Sequence, residues 1–434
     1  MILFDKLFKS KTTVSMVKNA GLKPIYFMVY FMYTPILLNY LGNEKFGVWA
    51  TILSIINWIS FFDIGIGSGL RNILTKGLSE NDFISVKKSV STAYIILSLT
   101  SLVITFFLVI ISLNINWRQF FNINFDVKET IVISIVSMTI NFILGLGKSI
   151  LYSLQLSEKI PLLNIISSLI QLVGVFLLNL FAEKGNIIAV AILFGLSSCI
   201  IYLFNDIYLA KKMTCFLPSF KYFDRKTVHL LYKNGLTFFI LQLAGVVMTS
   251  TDNILVSNFY GASDVTPYTI ATKFFFTIES VYIAFISPLW TRTNIAYFNK
   301  DMKWIDNANR KLFFIMVFFS VLYFSVSMFY DYIIRIWLQT TLIYSFSLIF
   351  VTVLCTIFEM VSLTYSNFLN GMNVLKIQAI IAIIQIILNV PFSYFFAITC
   401  NFGASGVKCG TMLLYLFSSV VYFLVFRFYI HRER

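Results

Sequence analysis

Residues 90–113 read VSTAYIILSLTSLVITFFLVIISL and contain no charged side chain. A helix rises about 1.5 Å per residue, so this segment can cross the hydrocarbon layer of a bilayer, which is about 30 Å thick. Similar segments recur along the 434 residues, of which 59% are hydrophobic and 12% are charged. Soluble domains have about 25% charged residues, so we exclude a soluble globular protein. The sequence predicts an all-α polytopic membrane protein.

Twelve segments have the length and hydropathy of transmembrane helices. They lie at 22–41, 46–70, 90–113, 131–154, 162–182, 187–209, 235–259, 267–290, 312–330, 346–370, 377–397 and 407–427. Some connectors are very short, such as residues 183–186, so consecutive helices are expected to be antiparallel neighbours. The N-terminal stretch lacks the long apolar core of a signal peptide, so none is predicted.

The positive charges favour one side of the predicted membrane protein. Of the 33 Lys and Arg residues, 25 fall in the termini and in the loops on the same side. The opposite side has six, namely Lys45, Arg118, Lys128, Lys184, Arg335 and Lys408. Because Lys and Arg concentrate in cytoplasmic loops, both termini are predicted to be cytoplasmic. The same rule explains the basic loops, so nucleic acid is not expected as a partner.

The two halves of the chain resemble each other weakly. Five matches occur in order at separations of 218 to 221 residues. They pair Gly42 with Gly261, Trp49 with Tyr268, Arg71 with Arg292, Trp117 with Trp337, and Gly185 with Gly403. The matches indicate a duplicated six-helix unit, and an even number of spans makes both units run in the same direction. We therefore expect two six-helix lobes, related as a parallel internal repeat, around a central cavity.

This repeat predicts the domain organisation. The N-terminal lobe covers residues 1–209, a cytoplasmic linker loop covers 210–234, and the C-terminal lobe covers 235–434. Such two-lobed architectures are typical of transporters.

Ionisable residues inside spans are candidates for function, because each costs about 2.5–3.5 kcal/mol at a helix centre. Lys148 and Asp206 lie near cytoplasmic helix ends, where snorkelling explains them. Asp252 and Lys273 lie at similar depths in consecutive helices. They are expected either to form an ion pair that locks the hairpin or to place a tuned cation in the cavity.

Three further carboxylates lie in the predicted spans. Glu279 and Glu359 are near the midplane, where a carboxylate can carry a proton or Na⁺ or can join two helices by hydrogen bonding. Asp63 precedes GIGSGL (residues 65–70), whose alternate glycines permit close backbone approach.

Catalytic and cofactor chemistry lacks support in the sequence. The chain has two His, at 229 and 431, and its five Cys have no metal-ligand spacing. The sequence GLGKS at 145–149 lacks the earlier glycine of a phosphate loop, since Phe142 stands there. We predict no metal, no cofactor and no enzymatic activity.

Two stretches carry a resemblance to a known family. Pro35 is followed by NYLGNEKFGVWATIL (39–53) and then by FFDIGIGSGLRN (61–72), and TSTDNILVSNFYG (249–261) is a weaker match. They resemble the Wzx-type polysaccharide flippases of the multidrug/oligosaccharidyl-lipid/polysaccharide exporter superfamily. The resemblance implies translocation of an undecaprenyl-pyrophosphate-linked glycan across a bacterial inner membrane during O-antigen or capsule synthesis. It also implies membrane lipids and polysaccharide polymerase machinery as partners.

The resemblance assigns expected roles to particular residues. A cationic cavity would bind the pyrophosphate, and Lys273 is the leading candidate because it lies deepest. The other basic candidates are Lys18, Lys23, Arg71 and Arg292. The family is driven by gradients of H⁺ or Na⁺, for which the candidate carriers are Asp63, Asp252, Glu279 and Glu359.

Three alternatives stay open at this point. A multidrug or cation antiporter of the same superfamily would need an acidic, aromatic cavity, which Lys273 disfavours. A membrane polymerase or ligase would need a large outer loop with catalytic residues, and the outer loops are short. A scaffold for glycosyltransferases would leave the charges inside the membrane unexplained.

Overall fold

The computed structural model describes residues 22, 25–26, 28–29, 31–59, 66–154, 156, 158–286 and 289–433. Within this part of the chain, all regular secondary structure is helical. Eight helices there are long and apolar enough to cross a membrane. The predicted all-α, multi-pass membrane class is confirmed.

Contacts divide the chain into two compact units, Met1–Leu243 and Ala244–Arg434. After a helical stretch at 31–41, the first unit contains α1 (Asn43–Ile59), α2 (Ile66–Ser79), α3 (Phe83–Asn114), α4 (Trp117–Phe121), α5 (Lys128–Ser153), α6 (Lys159–Phe181) and α7 (Ile187–Lys212). Helix α8 (Arg225–Tyr260) crosses the division. The second unit continues with α9 (Ala262–Ile286), α10 (Leu289–Phe298), α11 (Met302–Met328), α12 (Tyr330–Leu338), α13 (Phe346–Gly371), α14 (Lys376–Tyr394) and α15 (Ala404–Glu433).

Two of the predicted spans are represented by separate helices among the described residues. The span expected at 46–70 contains most of α1 and the start of α2, and residues 60–65 between them lie outside the described part. The span expected at 267–290 contains most of α9 and the start of α10, and residues 287–288 lie outside the described part. Arg71 lies within α2, and Arg292 lies within α10.

The backbone reproduces the internal repeat. Gly42 and Gly261 have left-handed φ values of 75° and 92°, and Gly185 and Gly403 have φ values of 83° and 62°. Positive φ values are accessible to Gly because it has no Cβ, which explains glycine at these matched positions. The short helices α4 and α12 each follow the corresponding long helix. The duplicated helical architecture is therefore present in the structure as well as in the sequence.

The connection expected at 210–234 is shorter in the structure. Helix α7 continues to Lys212, and α8 begins at Arg225. The carboxylate of Asp224 accepts hydrogen bonds from the Thr227 hydroxyl at 2.6 Å and from the Thr227 N–H at 3.0 Å. These bonds stabilise the start of α8 and hold the pKa of Asp224 below its usual value.

In the second unit, glycines bring α15 close to its predecessor. A Cβ at Gly410 would lie 2.6 Å from the Ser393 nitrogen, and one at Gly406 would lie 2.5 Å from the Ala397 nitrogen. Both distances are too short for a side chain, so only glycine permits this approach to α14 and to the π-helical turn Phe395–Thr399. The packing places the first turns of α15 in the interior of the unit.

Candidate functional site

A buried carboxylate, Asp252 of α8, lies in the interior of the second unit, where it is 2% exposed. Tyr268 of α9 donates a hydrogen bond to its Oδ2 at 2.5 Å, and Thr411 of α15 donates one to its Oδ1 at 2.8 Å. The ammonium of Lys408 lies 3.7 Å from Oδ2, and Lys408 is itself only 7% exposed. Two helices, α9 and α15, thus supply partners to one carboxylate on α8, which compensates for its removal from water.

The cation that pairs with Asp252 is Lys408, whereas the sequence suggested Lys273. The α8–α9 hairpin turns at Gly261, so Asp252, which lies nine residues before it, is level with Tyr268, seven residues after it. Lys273 lies more than one helical turn further along α9. The depth of Asp252 is therefore matched by a tyrosine, and the countercharge comes from another helix.

The two midplane glutamates also contribute to this region. Glu359 of α13 accepts a hydrogen bond from the Tyr415 hydroxyl of α15 at 2.9 Å. Glu279 of α9 is 1% exposed, and within the described residues its Oε1 has no hydrogen-bond partner. Glu359 and Lys408 both interact electrostatically with Glu279, and Lys408 also interacts with Glu359. Lys408 thus pairs directly with Asp252, and its charge also acts on Glu279 and Glu359.

We call this group the buried charge cluster. Its members are Asp252, Tyr268, Glu279, Glu359, Lys408, Thr411 and Tyr415. Three carboxyl groups share one ammonium, so full ionisation would leave an uncompensated negative charge in a medium of low dielectric constant. A bound proton or another cation would relieve that excess. Across the described chain, no three His, Cys, Asp or Glu side chains are grouped to hold a metal ion.

Sequence reasoning missed Lys408, because it grouped this lysine with the outer loop cations. The signal was nevertheless present. Lys408 follows the first residue of the span predicted at 407–427, and glycines at 406 and 410 flank it. Small residues on both sides indicate a helix face that packs closely, and a lysine on such a face requires a buried partner.

The basic candidates are spread over several helices. Arg71 of α2 is exposed, and its guanidinium lies 4.5 Å from the centroid of the Tyr152 ring. Lys273 of α9 is half-buried, and Arg292 of α10 is exposed. These three residues belong to different helices. The remaining candidates that lie outside the described residues are Lys18, Lys23 and Asp63.

The first unit has its own half-buried carboxylate within a predicted span. Asp206 of α7 accepts a hydrogen bond from the Tyr94 hydroxyl at 2.8 Å, and a Cβ at Gly147 would collide with its Oδ1. The ammonium of Lys148 lies 4.0 Å from the centroid of the Tyr202 ring. Aromatic and hydroxyl partners thus satisfy both charges, so we assign a structural role to this pair.

The family model for polysaccharide biosynthesis proteins matches residues 20–293 of this chain. The chain belongs to that family. A second model, MatE, matches residues 238–395. An O-antigen export protein of Yersinia pseudotuberculosis is 25% identical over 94% of this chain and 93% of its own length. An O-antigen transporter of Salmonella typhi is 23% identical over 92% and 91% of the two chains.

Solved structures share the fold. A multidrug resistance MATE family transporter of the MOP superfamily, in an inward-facing conformation, superposes with a TM-score of 0.76 at 17% identity. The match covers 96% of this chain and 99% of that one. A MOP superfamily transporter from Pyrococcus furiosus gives a TM-score of 0.65 at 16% identity, with 96% of each chain covered. The superfamily that the sequence resembled is therefore confirmed.

The Lys408→Met substitution should strongly destabilise the purified protein. It removes the ammonium and leaves Asp252 as a buried charge without its countercharge, which costs about 3–5 kcal/mol. The double variant Lys408→Met/Asp252→Asn should recover most of the loss, because neither charge is then present. The unfolding free energy, measured in mild detergent, checks both expectations.

Arg335→Met is the matched control for this prediction. Arg335 pairs with Asp331 at 2.9 Å on the exposed surface, where an ion pair contributes at most about 1 kcal/mol. If Lys408→Met and Lys408→Met/Asp252→Asn lowered the free energy of unfolding equally, the ion pair between Lys408 and Asp252 would be contradicted.

Proposed function

We propose that this protein is a flippase for lipid-linked polysaccharide precursors. Its substrate is an undecaprenyl-pyrophosphate-linked oligosaccharide repeat unit, which it moves from the cytoplasmic to the periplasmic or outer leaflet of the inner membrane. The product serves O-antigen or capsule synthesis. The observation that carries this proposal is the family match, together with relatives named for O-antigen export that align along more than nine-tenths of both chains.

The physical chemistry of the substrate requires such a protein. A sugar chain and a diphosphate cannot enter hydrocarbon without losing their hydrogen bonds to water, which costs several kcal/mol per polar group. A transporter with two helical units can shield the polar head by alternating access while the lipid tail stays in the bilayer. The protein needs no covalent chemistry for this step, so we propose a transporter and not an enzyme.

The diphosphate requires positive charge along its path. We assign this role first to Lys273, which is half-buried within α9 and is therefore not a loop cation. Phosphate oxygens accept charge-assisted hydrogen bonds from both Lys and Arg. The exposed Arg71 and Arg292, with Lys18 and Lys23, would attract the head group at the membrane surface.

The energy source is an ion gradient, and we propose that Glu279 and Glu359 carry the ion. Glu279 Oε1 is buried without a hydrogen-bond partner, so a proton bound there would remove a negative charge that no donor stabilises at that oxygen. H⁺ fits this pair better than Na⁺, because Lys408 already supplies the cluster with a fixed cation. Asp252 is held by three donors and serves mainly to position Lys408.

The runner-up is a drug or cation antiporter of the same superfamily. The likeness to MATE transporters favours it at the level of fold. An antiporter for organic cations would need an acidic substrate-binding region. Lys273, which we assign to substrate binding, would instead place a positive charge in that region.

The decisive experiment uses a deletion strain that still synthesises the sugars. Extracted lipids should contain undecaprenyl-pyrophosphate-linked repeat units, and a lectin on sealed vesicles should find them on the cytoplasmic face. The intact gene should move them to the other face. Normal leaflet distribution in the deletion strain, with altered dye efflux instead, would assign the protein to the antiporters.

Lys273→Ala should abolish glycan export in this strain while membrane insertion persists, because the diphosphate loses its deep countercharge. Lys303→Ala, which removes an exposed lysine in the first turn of α11, is the control and should export normally. Lectin-accessible glycan, normalised to protein in the membrane, is the measurement. Full export by a well-expressed Lys273→Ala protein would remove this residue from the pathway.

Glu279→Gln and Glu359→Gln should each flatten the pH dependence of flipping in proteoliposomes, because a glutamine cannot bind or release the proton. The substitutions preserve side-chain shape, so the fold should be retained. Glu80→Gln, at an exposed position beside Lys76, should keep the wild-type profile. Unchanged pH profiles in both buried variants would refute proton transport by this pair, and a rate that follows the Na⁺ gradient would identify the other ion.

A further inference from the structure

A cavity of about 590 Å³ opens at one end of α11, α13 and α15 in the second unit. Arg310 and Asn309 of α11 line it, and Arg427 of α15 lines the opposite wall. Both arginines are exposed, and neither forms an ion pair with another described residue. We call this space the arginine pocket. Asp306 lies on the same wall, so the pocket keeps a net positive charge.

An apolar groove of about 300 Å³ adjoins the arginine pocket. The two spaces share Phe313, Tyr365 and Phe423 as lining residues, so they lie side by side. The groove continues between Val317 of α11 and Val420 of α15, both of which are exposed apolar side chains on predicted membrane spans. Its apolar walls therefore face the region that hydrocarbon occupies.

The junction between the two spaces is held in place by Tyr365 of α13. Its hydroxyl donates a hydrogen bond to Asn309 Oδ1 at 3.3 Å, and its ring contacts Phe423 and Phe426 at centroid distances of 5.2 and 5.3 Å. Because the Asn309 oxygen accepts from Tyr365, its NH₂ group remains as a donor. The pocket thus presents two guanidinium groups and one amide donor next to an apolar channel.

Charge distribution alone does not account for this arrangement. Arginines at helix ends are expected on the cytoplasmic side of any membrane protein. That rule does not require two of them to line one cavity, nor does it require the cavity to continue as a groove along the same helices. The combination matches a molecule with an anionic phosphate head and an apolar tail.

We propose that the arginine pocket and its groove bind a single-chain lipid diphosphate, the carrier portion of the substrate. This proposal rests on the proposed function and adds a loading site that is separate from the buried charge cluster. The groove between α11 and α15, at about 300 Å³, holds a section of one apolar chain. Arg310 and Arg427 bind the diphosphate.

Native mass spectrometry of the full-length protein with undecaprenyl diphosphate tests the site. A one-to-one adduct is expected, and Arg310→Gln and Arg427→Gln should each weaken it about tenfold, since each removes charge-assisted hydrogen bonds. Val420→Trp should also weaken it by filling the groove while leaving both arginines in place. Arg335→Gln, at an exposed arginine outside the pocket, should bind like the wild type.

Competition identifies the ligand class. Phosphatidylglycerol should displace the adduct poorly, and so should inorganic pyrophosphate, which lacks the tail. Displacement by either competitor as effective as that by unlabelled undecaprenyl diphosphate would overturn the proposal. Unchanged binding in both arginine variants would also overturn it. The wild-type protein could relieve glycan accumulation in the deletion strain while the two arginine variants bind undecaprenyl diphosphate as tightly as the wild type. That result would refute this binding site and leave the proposed function intact. Failure to relieve that accumulation would refute the proposed function.

Discussion

The ammonium of Lys408 and the carboxylate of Asp252 compensate each other where both side chains are almost completely buried. Either charge alone would be too costly in the interior of a membrane unit, so the positions of both are constrained together. Satisfying the pair requires α8, α9 and α15 to meet at one depth, where Tyr268 and Thr411 complete the hydrogen bonds. The close approach of α15 through Gly406 and Gly410 follows from the same requirement.

The carboxylates of the buried charge cluster differ in their hydrogen bonding. Asp252 receives two hydroxyl donors and an ammonium, all of which stabilise its charged form. Glu279 is just as deeply buried but has an oxygen without a donor, and the charge of Glu359 acts upon it. Asp206 of the first unit resembles Asp252, since Tyr94 satisfies it. The missing hydrogen-bond partner of one carboxylate oxygen, rather than burial alone, therefore distinguishes Glu279, which is proposed to carry an ion.

Much of the architecture could be predicted because it depends on local properties of the chain. A run such as residues 90–113 is long and apolar enough to cross the membrane in any context. Gly42 and Gly261 could be matched because their left-handed φ values of 75° and 92° favour glycine in both halves.

The site was less predictable because it depends on which helices pack together. Lys408 lies 156 residues after Asp252, and Lys273 was the nearer candidate in sequence. Sequence position indicates approximate depth, but it does not indicate which helix faces which. Glu279 and Glu359 were expected individually as midplane carboxylates, whereas their shared lysine followed only from the packing of α9, α13 and α15.

The choice of cation at each location follows from its degree of burial. Lysine is used at the centre of the buried charge cluster, where a compact ammonium on a long stem can lie among three carboxylates without satisfying five separate donors. Arginine is used at the exposed pocket beside the groove, where a planar guanidinium can bind phosphate oxygens in pairs and stays charged under all conditions. A substrate that carries both a diphosphate and a long apolar chain needs the second kind of site at the membrane surface. A transporter driven by an ion gradient needs the first kind in its interior, and the second unit of this protein contains both.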